Sequence, residues 1–74
     1  MDRKMEGRHL AVADRNIAEG EVRIERQLAL VERLKLRGRD TDAAEDFLKL
    51  LRQTLAGWQN QRVEILTELG RQLG

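Results

Sequence analysis

His9 is the sole imidazole of this 74-residue chain, and imidazole is the side chain most often recruited as general base or metal ligand near neutral pH. Either role needs companions. A zinc site takes three or four ligands drawn from Cys, His and carboxylates, and the chain has no Cys and no second His. The commonest nucleophiles are missing too, since the sequence contains neither Ser nor Cys. Thr54 and Thr67 carry hydroxyls, but no His lies near either in sequence. The glycines are scattered and form no phosphate-cradling loop. These residues predict no catalytic, cofactor-binding or metal-binding centre, and a protein that is not an enzyme.

A second chemistry is anion binding. Arg33, Lys35, Arg37 and Arg39 form a basic cluster of the kind that attracts phosphate or nucleic acid. Asp40, Asp42, Glu45 and Asp46 follow at once and neutralise much of that field. Across the chain, 14 basic and 13 acidic groups leave a net charge of +1. That balance demands neither nucleic acid nor an anionic membrane as partner. Anion or nucleic-acid binding through the four basic residues is therefore the alternative reading, ranked below protein association.

The elements that must position these groups are legible from periodicity. Leu10, Ile17, Ile24 and Val31 recur every seven residues, and Ala44, Leu51, Trp58 and Ile65 form a second such series. Spacing of this kind specifies two amphipathic helices, each with one apolar stripe. The first is predicted over about residues 8–37, the turn over 38–40 and the second helix over about 41–72, within a single domain spanning 1–74. Arg3, Lys4 and Arg8 are expected on an N-terminal arm, and fraying is expected around residues 71–74. Cations at Arg33, Lys35 and Arg37 suit the negative end of the first helix, and Gly38 suits a left-handed cap. Asp40 or Thr41 is expected to cap the second helix, with Asp42 and Glu45 at capping-box spacing. Proline is absent, so nothing forces a break within either helix.

A connection this short folds the helices into an antiparallel, coiled-coil-like hairpin of the all-α class. Its association seam is predicted to comprise Leu10, Ile17, Ile24 and Val31 from the first helix. The second helix contributes Leu48, Leu51, Leu55, Trp58, Ile65 and Leu69. Reflection through the turn sets Gly20 beside Trp58, as though the missing side chain made room for the indole. Arg62 and Gln27 interrupt the stripes. Asp14 or Glu21 is available to pair with Arg62, and Trp58 to stack on it.

Val22, Leu28, Leu30, Leu36, Phe47, Leu50, Leu66 and Leu73 widen the apolar surface beyond what one neighbouring helix covers. A small chain without disulfides or a metal usually gains the remaining stability by oligomerising. The expected solution is a homodimer of hairpins forming a four-helix bundle, with an unidentified protein partner as the rival. The charged start, Met1 to Glu6, has no apolar run of a secretory leader, and no stretch is long enough to span a bilayer. A cytoplasmic location without membrane association is the corresponding expectation.

Two segments resemble a group of short, uncharacterised bacterial helical proteins. One is His9-Leu10-Ala11, Ala13-Asp14-Arg15, Ile17-Ala18, Gly20-Glu21 and Arg23-Ile24. The other is Arg37-Gly38-Arg39-Asp40-Thr41, followed by Ala44-Glu45 and the Leu-rich run. Together they cover most of the chain. The resemblance implies a stand-alone cytoplasmic helical hairpin and implies no activity.

Overall fold

The computed structural model of the chain describes the backbone of residues 3–73 and the side chains of residues 7–73. Two helices, α1 (Arg3–Leu36) and α2 (Asp42–Leu73), fold back on each other as an antiparallel rod of 56 × 14 × 14 Å. The all-α hairpin agrees with the periodicity of the sequence.

The boundaries differ from those expected, for local reasons. α1 starts at Arg3 rather than near residue 8, so Arg3, Lys4 and Arg8 belong to the helix and not to an arm. Arg, Lys, Met and Glu are all good helix formers, and the isolated Gly7 costs only about 1 kcal/mol relative to alanine. A helix already propagating from a long packed segment absorbs that cost. At the other end α2 continues to Leu73, with Arg71 and Glu68 paired at 3.5 Å on its last turns. The remaining residue expected to fray, Gly74, lies outside the described residues.

The turn occupies residues 37–41 rather than 38–40. Gly38 takes φ +65°, a conformation in which a Cβ would be strained. Its N–H donates to the Lys35 carbonyl at 3.0 Å, and the Arg39 N–H donates to the Leu34 carbonyl at 2.9 Å. This is the Schellman arrangement, which satisfies carbonyls left over at the end of α1. The first bond of α2 runs from the Glu45 N–H to the Thr41 carbonyl at 2.8 Å, making Thr41 the capping residue by backbone position. The Asp40 carboxylate accepts the Asp42 N–H at 2.9 Å. Both expected capping residues therefore contribute. The Asp42–Glu45 capping box does not form, because Thr41 holds the capping position and the Asp42 N–H is already bonded to Asp40; the Glu45 carboxylate lies 3.7 Å from Lys35 Nζ.

The core lies between the helices and is thickest near the two ends of the seam. Val31 and Leu48 are buried toward the turn, and Ala13 and Ile65 toward the open end. Ile24, Leu51, Leu55 and Trp58, in the middle, are only half-buried. Gly57 lies on the exposed side of α2, and a Cβ placed there meets nothing within 4 Å.

Two glycine substitutions should move stability in opposite directions. Gly57→Ala is expected to stabilise the fold by up to about 1 kcal/mol through helix propensity. Gly38→Ala should destabilise it by roughly 1 kcal/mol or more, because the left-handed cap is incompatible with a side chain. Urea denaturation of both variants checks the pair.

Candidate functional site

The ten residues of the predicted seam all sit on the inner faces of the hairpin: Val31, Leu48 and Ile65 are buried, and the other seven are half-buried. Ala13, at 1% exposure, is the most enclosed residue of α1. It occupies the same three-four stripe between Leu10 and Ile17.

The register differs from the reflected one. A Cβ built on Gly20 would approach Leu55 Cδ1 at 3.4 Å and Leu55 Cβ at 3.9 Å, and Trp58 does not come within 4 Å of it. Gly20 thus faces Leu55, and the expected Gly20–Trp58 contact is replaced by a shallow groove. That groove runs between Asn16 and Arg23 on α1 and Thr54 and Trp58 on α2. A reflected numbering assumes a symmetric turn, whereas here a Schellman cap closes α1 through Arg39 and Thr41 opens α2.

Both polar breaks find partners. Arg62 Nε donates to Asp14 Oδ1 at 2.6 Å across the seam, which selects Asp14 from the partners the sequence offered. Gln27 Nε2 donates to the Ala44 carbonyl at 2.9 Å. No sequence signal marked that carbonyl, because a backbone acceptor carries no residue identity. Asp14–Arg62 and Lys35–Glu45 lie on one flank of the hairpin, and the groove lies on the other. The two flanks are chemically different, a distinction that depends on register and could not be read from the stripes.

The other candidates are dispersed. His9 is exposed on α1. The Thr54 and Thr67 hydroxyls donate to the Leu50 and Val63 carbonyls one turn earlier, at 3.0 and 2.9 Å. Arg33, Lys35, Arg37 and Arg39 are all exposed around the end of α1 and the turn. Lys35 is drawn to Glu45 across the helices. Among the described residues, no three His, Cys, Asp or Glu side chains gather where they could hold a metal ion. Nor is any helix among them long and apolar enough to cross a membrane.

The outward faces carry large apolar side chains. Leu36 is 87% exposed, Leu73 68%, Val63 62%, Leu50 57% and Phe47 51%. Val22, Leu28 and Leu66 are also exposed, and Leu30 is half-buried against α2. Val12 and Val63 extend the set beyond the residues the sequence singled out. No protein-family model, no curated protein and no solved structure matches this chain.

The two polar contacts should respond differently to salt. Asp14 and Arg62 are 49% and 42% exposed, so Asp14→Asn is expected to cost less than about 1 kcal/mol at low salt and to approach zero near molar salt. Gln27→Ala should cost about 1 kcal/mol at either ionic strength. Denaturation midpoints measured at both salt concentrations distinguish them.

Proposed function

We propose that this protein is a helical association module that pairs with a second copy of itself and performs no chemistry of its own. One observation carries the reading. A compact monomer of 8.6 kDa exposes about 4,700 Å², whereas this hairpin exposes 5741 Å². The excess is about 1,000 Å², somewhat more than the roughly 800 Å² that each partner contributes to a standard stable interface.

The kind of surface supports the same reading. Leu50, Phe47, Val63 and Leu73 are each more than half exposed, and an uncovered apolar surface of this extent favours association. Two hairpins side by side form a four-helix bundle, in which a second stripe on each helix is covered by the partner. We place this association in the cytoplasm, a setting supported by the mixed charges that separate the apolar residues. Its biological consequence would follow from pairing: a dimer presents two turns and two sets of termini at a fixed separation to any further component.

Multi-angle light scattering over a range of concentrations tests the reading. A dimer mass at micromolar concentration is expected, together with a melting temperature that falls on dilution. A folded monomer whose melting temperature is independent of concentration would overturn it.

A further inference from the structure

The two flanks of the hairpin are unequal, and the one bearing the interhelical ion pairs has the features of a self-complementary face. Asp14, about a third of the way along α1, and Lys35, in its last turn, make those pairs. Glu21 and Leu28 fall between them at seven-residue intervals and therefore lie on the same flank. Ala18 and Glu25 stand beside that row on its outer edge, one turn after Asp14 and Glu21 respectively. On α2 the equivalent row starts at Glu45 and passes through Arg52 to Leu66 and Leu73, with Lys49 and Val63 along its outer edge.

Charge and size are sorted along this flank. α1 presents the acids Glu21 and Glu25, while α2 presents the bases Lys49 and Arg52. The fixed contacts Gly20–Leu55 and Lys35–Glu45 put these groups at similar heights along the rod. None of the four enters an ion pair with another of the described residues. Nearer the open end, α1 is small at Ala11, and α2 is large at Val63 and Leu66.

Two symmetric arrangements bring this flank against a second copy. With the two-fold axis across the helices, α1 lies on the partner's α1 and an acidic row meets an acidic row. With the axis parallel to the helices, α1 lies on the partner's α2. Glu21 and Glu25 then face the partner's Lys49 and Arg52, and Ala11 receives the partner's Val63 and Leu66. Opposite charges meet, and large side chains meet small ones.

We infer that two copies pair through the flank bearing Glu21, Glu25, Lys49 and Arg52, with α1 against the partner's α2 and both turns at the same end. This rests on the self-association proposed above and adds the face and its orientation. The electrostatic part of the recognition is solvent-accessible at its rim and should weaken with salt.

Charge exchange tests it. Sedimentation velocity at low salt is run on Glu21→Lys/Glu25→Lys and on Lys49→Glu/Arg52→Glu, with helicity checked by circular dichroism. Each variant alone is expected to associate at least ten-fold more weakly than the unaltered protein. An equimolar mixture should recover the dimer, because each sits opposite its complement in both halves of the interface. Variants that remain dimers, or a helical mixture that stays monomeric, would overturn this arrangement. Loss of the dimer in Phe47→Glu/Leu50→Glu, with the charge variants unaffected, would assign pairing to the opposite flank and leave self-association intact. If the unaltered protein is itself a monomer, the broader proposal fails and this one with it.

Discussion

Two helices can meet along only one line, and nearly every property of this protein follows from that constraint. In a rod 14 Å thick, each helix has one face toward its neighbour and the rest toward solvent. Among the described residues, only Ala13, Val31, Leu48 and Ile65 are buried. The hydrophobic stabilisation available to one hairpin is correspondingly small, and the capped turn contributes a visible share. Gly38 and Asp40 close the connection so that α1 ends and α2 begins within five residues.

The same constraint makes register a problem that apolar side chains alone do not solve. A seven-residue repeat sliding past another seven-residue repeat meets an equivalent pattern after each heptad, so the stripes specify a seam and not one alignment. The polar contacts do distinguish alignments. Arg62 reaches Asp14, Gln27 reaches the Ala44 carbonyl, and Lys35 reaches Glu45. A slip of one heptad would break all three and carry Leu55 away from the space over Gly20. The individual ion pairs are exposed and contribute little stability. Their larger effect is to make one alignment better than its neighbours.

The sequence made the hairpin legible because heptad spacing and turn chemistry are local signals that agree. Ile17, Ile24 and Val31 mark one face, Leu51, Trp58 and Ile65 mark the other, and Gly38 with Asp40 marks the turn. Three features were less accessible, each for its own reason. The start of α1 at Arg3 depends on helix propensity carrying past the apolar stripe through Gly7. The facing of Gly20 on Leu55 depends on a turn that is not symmetric, which residue numbers do not encode. Glu45 has two nearby uses in sequence, a capping box with Asp42 and a helical pair with Lys49, yet it turns to Lys35, which only the fold brings close. Arg62 was the opposite case, because few acids lie at its height on α1 and Asp14 is among them.

The distribution of charge over the flanks bears on why this hairpin is built as it is. Glu21 and Glu25 stand four residues apart on α1, a like-charge spacing that weakens an isolated helix by a few tenths of a kcal/mol. Exchanging either for Lys would remove that cost, and a lone hairpin would lose no ion pair among the described residues by it. Val63, Leu66 and Leu73 raise a parallel difficulty on the same flank of α2, since each exposes an apolar surface that a polar residue would avoid. Phe47 and Leu50 raise the same difficulty on the opposite flank. On the flank of the ion pairs, acids stand on one helix and bases with Val63, Leu66 and Leu73 on the other, and these complementary halves offset their separate costs when they meet. Rotation about a two-fold axis is what brings them together, and a single chain cannot supply that operation to itself.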